Sequence, residues 1–115
     1  MKIKTGAKCM ISSHILDTNL GKPAANVLIK LFNADGMLLG EGQTNADGRV
    51  TDFGLSEFST GSYSLEFATA DYFESLNTET FFPKAVIHFL VKDASQHFHI
   101  PLLISPFAYS TYRGS

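Results

Sequence analysis

Ser62-Tyr63-Ser64-Leu65-Glu66-Phe67 alternates small or charged residues with large apolar ones. Side chains along a β-strand leave opposite faces in turn, so Tyr63, Leu65 and Phe67 form an apolar face and Ser62, Ser64 and Glu66 a polar one. This is a strand with one side against a core and the other in water. Other segments repeat the theme. Residues 27–32 place Val27, Ile29 and Leu31 on one face; residues 85–91 place Ile87, Phe89 and Val91 together with His88 opposite. Phe98, Ile100, Leu102 and Ile104 form a further apolar face, with His97 and His99 on its reverse. Pro101 lies inside this last run and has no N–H to donate, so it marks an edge, a bulge or an interrupted ladder.

The turns between these strands are written plainly. Asn33-Ala34-Asp35-Gly36 and Asn45-Ala46-Asp47-Gly48 are the same four residues, and they flank a strand at 37–44. Glycine accepts positive φ at such turns and Asp tolerates it. One helix is expected at 69–77, with Asp71 and Glu74 spaced as a capping box, Tyr72, Phe73 and Leu76 on its apolar side, and Asn77 closing it. Seven or eight short strands and one helix, punctuated at this spacing, predict an all-β fold: a two-sheet antiparallel β-sandwich with one short α-helix near 69–77.

A chain of 115 residues predicts a single domain over 1–115, large enough to fold without staples. Cys9 is the only cysteine, which excludes an internal disulfide and any multi-cysteine metal site. The net charge of −2 and the weak cluster of Lys2, Lys4 and Lys8 argue against nucleic acid as a partner. No apolar run is long enough to cross a bilayer, so no membrane association is expected. With no secretory signal or C-terminal address visible, the expected compartment is the cytoplasm.

No phosphate-binding loop, dinucleotide fingerprint, Gly-x-Ser-x-Gly elbow or His-Glu-x-x-His is present. Any chemistry must come from dispersed residues. His97 and His99, two apart on a strand, leave the same face and suit proton transfer, a metal pair or plain solvation. His14 shares a strand face with Ser12. Arg49 follows the second Asp-Gly turn and offers a planar fork for an anionic, planar ligand. The stretch from Ser105 to Ser115 stays rich in aromatic and hydroxyl residues, unlike an ordinary loose chain end.

Three blocks carry a resemblance. They are Ser13-His14-Ile15-Leu16-Asp17 with Gly21-Lys22-Pro23-Ala24; Thr44-Asn45-Ala46-Asp47-Gly48-Arg49; and His97 through Pro101-Leu102-Leu103 and Ser105-Pro106 to Tyr112-Arg113-Gly114-Ser115. Together they resemble the 5-hydroxyisourate hydrolases, the transthyretin-related enzymes. The resemblance implies a two-sheet sandwich, a homotetramer built as a dimer of dimers, and sites at the dimer–dimer interface. It implies His14, Arg49, His99 and Ser115 as catalytic residues, with His14, Arg49 and Tyr112 binding substrate. No metal and no cofactor are expected. The implied reaction is hydrolytic ring opening of 5-hydroxyisourate to 2-oxo-4-hydroxy-4-carboxy-5-ureidoimidazoline in urate degradation. His14 and His99 would move protons, and Arg49 would bind the ring and stabilise charge. Three other readings compete: a non-catalytic transthyretin-like carrier of a small ligand, a zinc hydrolase using His97, His99 and His14, and a purely structural sandwich domain.

Overall fold

The computed structural model describes residues 11–55 and 58–115, so the readings placed on Lys2, Lys4, Lys8 and Cys9 fall outside the described residues. The strands are β1 (Ile11–Asp17), β2 (Lys22–Pro23), β3 (Leu28–Asn33), β4 (Leu38–Gln43), β5 (Arg49–Val50), β6 (Gly61–Phe67), β7 (Ala85–Val91), β8 (Phe98–Ser105) and β9 (Ala108–Thr111). One helix, α1 (Thr69–Ser75), joins β6 to β7. The first sheet runs β2-β1-β8-β9, with β5 also on the free side of β1; the second runs β4-β3-β6-β7.

The alternating faces meet as read. Ile29, Leu31, Leu65 and Phe67 of the second sheet and Ile11, Ile15, Leu102 and Ile104 of the first are fully buried between the layers. Each such side chain contributes roughly 1.5–3 kcal/mol by leaving water. The inward face of β1 also carries Ser13 and Asp17, both buried. Ser13 Oγ donates to the Ile100 carbonyl at 2.7 Å. Asp17 accepts from the backbone N–H groups of Asn19 and Leu20 and from the Tyr72 hydroxyl at 2.7 Å. That last bond ties α1 to the end of β1. Burial, reinforced by the Asp17 carboxylate, pushes the Tyr72 phenol far above its ordinary range, so it stays a donor.

Among the described residues the sandwich carries one parallel pair: β1 and β8 run side by side from Ile11↔Phe98 to Asp17↔Ile104. Every other pairing is antiparallel. The helix also starts differently from the capping-box reading. Its N-cap is Ala68, with no side-chain cap, and Asp71 is already inside the first turn. Asn77 does close it, at φ 54°, while Leu76 is exposed.

Pro101 interrupts a ladder. The β8–β9 register runs from Ser105↔Ala108 to Leu102↔Thr111, and the same register returns only at His99↔Gly114. Extended through the gap, it sets Pro101 opposite Tyr112. There the missing N–H removes one bond and the Thr111 hydroxyl takes the Pro101 carbonyl instead, at 2.6 Å. The tail is thereby freed for two residues, Tyr112 and Arg113, and recaptured at Gly114.

Candidate active site

The outer face of β1 and β8 gathers the singled-out residues because strand neighbours two apart point the same way. His14 lies in register with Arg49 on one side and Pro101 on the other; Ser12 lies beside His99.

Arg49 is placed by its turn. Asn45 Oδ1 accepts from the N–H groups of Asp47 (2.9 Å) and Arg49 (3.0 Å), an arrangement that Asn33 repeats with Asp35 and Met37. Gly48 has φ 75°, and a Cβ there would lie 2.6 Å from the Ile15 carbonyl oxygen. Only glycine lets the turn press against β1, where the Ile15 N–H donates to the Gly48 carbonyl. Arg49 therefore starts β5 directly opposite His14.

His99 is half-buried and held on three sides. Its Nδ1 lies 2.8 Å from Ser12 Oγ, which also lies 2.8 Å from His97 Nε2. The Gly114 N–H donates to the His99 carbonyl at 2.8 Å. The tail passes so closely that a Cβ on Gly114 would meet the His99 Cδ2 atom at 2.5 Å.

An open cleft of about 490 Å³ is lined by Ser12, Arg49, Thr51, His97, His99 and Ser115, among others. Arg49, His99 and Ser115 thus converge in one chain, with His14 beside them. Tyr112 does not join them there. It is 60% exposed and lines an adjoining hollow with Arg113, Phe98 and β7 residues. Arg113 is drawn the same way, its guanidinium 4.7 Å from the centre of the Phe98 ring and bonded to Gln96. Sequence reasoning did not name Ser12 and Thr51 as catalytic, and it weighed His97 with His99 as a proton-transfer or metal pair without placing it in the catalytic set that the resemblance implies. The available signal was the His-x-His spacing of His97 and His99.

Burial chiefly, and then the Arg49 charge, hold the His14 imidazole below its ordinary range; a hydrogen bond to the Asp47 backbone and the Asp47 charge pull the other way. His99 is lowered too, first by burial, then by Arg49, His14 and His97. Both rings are therefore neutral near pH 7, the form that accepts a proton. A metal reading finds no support in the donors. His97 Nε2 and His99 Nδ1 both turn to a hydroxyl, and among the described residues no three His, Cys, Asp or Glu side chains are grouped to hold a metal ion. Among the described residues, too, no helix is long and apolar enough to cross a membrane.

The HIUase/Transthyretin family model matches residues 11–114. The chain belongs to that family. It is 42% identical to the 5-hydroxyisourate hydrolase of Caulobacter vibrioides, over 91% of this chain and 97% of that protein. Among solved structures, the 5-hydroxyisourate hydrolase of Klebsiella pneumoniae superposes with a TM-score of 0.84 at 40% identity, covering 91% of this chain and 98% of that one. Sea bream transthyretin in complex with thyroxine superposes with a TM-score of 0.85 at 30% identity, covering 92% and 95%. The hydrolase and the thyroxine-bound transthyretin fit the backbone equally well, so within this family the side chains of the cleft, not the fold, discriminate between them.

Proposed function

We propose that this family member is a 5-hydroxyisourate hydrolase acting in urate degradation. The observation that carries the reading is the convergence of His99, Arg49 and Ser115 in one cleft, with a second neutral imidazole, His14, beside it. A carrier of an apolar ligand needs an apolar lining; imidazoles and a guanidinium suit a polar substrate that changes charge as it reacts.

His99 Nδ1 is occupied by Ser12, which leaves Nε2 to take a proton from water. The resulting hydroxide adds to the ring carbonyl carbon, and the carbonyl electron pair moves onto oxygen. Arg49 stabilises that oxyanion and binds the ring. Collapse breaks the carbon–nitrogen bond, and the leaving nitrogen takes a proton supplied through the histidines. Ser115 orients water or substrate. The product is 2-oxo-4-hydroxy-4-carboxy-5-ureidoimidazoline.

The test generates hydroxyisourate in place from urate with a urate oxidase and follows the decay of its ultraviolet absorbance. Catalytic amounts of the protein should accelerate that decay; no acceleration, together with tight binding of an aromatic apolar ligand, would establish the carrier instead. The rate should also depend on pH. The working base is neutral, and burial and Arg49 depress its proton affinity, so activity should hold level down to roughly pH 6.5, where an ordinary histidine titrates, and fall below it. A kcat/KM profile that is level from about pH 4.5 to 8 removes imidazole as the base.

We also propose a cytoplasmic homotetramer, a dimer of dimers, with its sites at the dimer–dimer interface. An open outer face carrying a polar cleft supports it, as does β7, an unpaired sheet edge bearing exposed Leu90 and Val86. Tyr112 is assigned to substrate contact in that assembly, where the hollow it lines would adjoin a neighbouring chain. Light scattering should return the mass of four chains; a monomer at full activity would refute the shared site.

A further inference from the structure

Ser12 has an outward position on β1 yet is only 5% exposed, and its hydroxyl contacts two imidazoles at 2.8 Å each. A hydroxyl has one hydrogen, so two arrangements satisfy all three groups. In the first, His99 Nδ1–H donates to Ser12 Oγ and Ser12 donates to His97 Nε2. His99 Nε2 is then bare, a base. In the second, His97 Nε2–H donates to Ser12 Oγ and Ser12 donates to His99 Nδ1. His99 then carries its hydrogen on Nε2, an acid.

We propose that Ser12 and His97 are positioning residues that act through His99, setting which of its nitrogens carries hydrogen and leading the abstracted proton out to solvent. The proposal rests on the hydrolase reading above and adds two residues to it. The proton count balances. Water gives a proton to His99 Nε2; His99 Nδ1 passes its own to Ser12 Oγ; Ser12 passes its hydrogen to His97 Nε2. The positive charge has moved from His99 to His97, whose Nδ1–H exchanges with water. His99 is left neutral with hydrogen on Nε2; as it gives that hydrogen to the leaving nitrogen, Ser12 returns a hydrogen to His99 Nδ1 and His97 Nε2 returns one to Ser12, which restores the first arrangement with both rings neutral.

The surroundings set the direction. His99 is half-buried under the Gly114 backbone, and Arg49 from β5, His14 from β1 and His97 from the same chain segment all disfavour charge on it. Asp47, the nearby carboxylate in the turn, acts on His14, and Arg113 of the tail lies over Phe98 beside Gln96. His97 is exposed, so water solvates a charge there. Charging His97 forces the second arrangement and removes the base. The acid limb of the rate profile is therefore that of the linked trio, not of His99 alone.

The experiment compares kcat and KM against pH for wild type, Ser12→Ala, Ser12→Thr and His97→Gln, with nitrogen-15 spectra of the histidine rings. Ser12→Ala should lose kcat about tenfold or more with little change in KM, and Ser12→Thr, which keeps the hydroxyl, should restore it. His97→Gln can complete the hydrogen bond but cannot hold the proton, so its acid limb should move down by about one pH unit. In wild type the His99 hydrogen should move from Nδ1 to Nε2 as pH falls through the limb. An unchanged limb in His97→Gln, or a His99 hydrogen that stays on one nitrogen while wild type turns over, overturns the relay and leaves the hydrolase reading standing. The ring switch without turnover supports the relay and sinks the hydrolase reading.

Discussion

Arg49→Ala should lower kcat/KM for 5-hydroxyisourate by about 10²–10³-fold while leaving the fold intact. Arg49 brings a fixed positive charge to the cleft, where the proposed mechanism places the negative charge that appears as water adds to the ring. The side chain is exposed and its backbone is held by Asn45 through an N–H that alanine retains, so stability should change by no more than roughly 0.5 kcal/mol. Arg49→Lys should recover only part of the loss, because a point charge does not reproduce a planar fork. His99→Ala should fall at least as far. The measurement is the decay of enzymatically generated hydroxyisourate, with the melting temperature as control. Near-wild-type rates in either variant, at unchanged melting temperature, would remove that residue from the mechanism.

Gly114→Ala should cost on the order of 100-fold in kcat/KM, a large effect for one methyl group. The added Cβ would sit 2.5 Å from His99 Cδ2, 3.2 Å from Cγ and 3.3 Å from the His99 carbonyl oxygen. Such a contact is relieved only by turning the imidazole or lifting the tail. Turning the ring breaks the Ser12 bond; lifting the tail breaks the Gly114 N–H to His99 carbonyl bond and withdraws Ser115 from the cleft. Either way the base and the chain beside it lose their relative position. The core is untouched, so unfolding should hardly change. Full activity in Gly114→Ala would show that the tail does not align the site.

Much of the fold was legible because it rests on local periodicity. Tyr63, Leu65 and Phe67 alternate with polar neighbours, and no arrangement other than a half-buried strand uses that pattern well. The two Asn-Ala-Asp-Gly turns were equally readable, since each Asn closes its own turn within four residues. The parallel pairing of β1 with β8 was not legible: each strand shows its own faces, and nothing local tells the direction of a partner 87 residues away. The capping-box reading failed because the helix begins two residues before Asp71, and tertiary contacts such as Tyr72 to Asp17 set its position. Of the proposed site, His14, Arg49, His99 and Ser115 were named through the resemblance, and the structure brings them to one region of one face. Ser12 escaped because a serine on a strand carries no signal until the two imidazoles that flank it are known to be neighbours. Tyr112 shows the opposite limit. Its place in a motif says nothing of which way the backbone turns it after Pro101 releases the tail.

The pairing of β1 with β8 also bears on how the molecule comes into being. In a nascent chain the strand that completes the β1 ladder, and supplies His99, is synthesised 87 residues after β1. Until then one long edge of β1, including the polar groups around Ser12, has only β5 and β2 on its far side and solvent on the other. Contacts so distant in sequence close slowly, because the loop must be ordered before the pairing rewards it. The cleft face of β1 is therefore completed only once β8 has been made, and a chain stalled before Phe98 holds a bare strand edge open to aggregation.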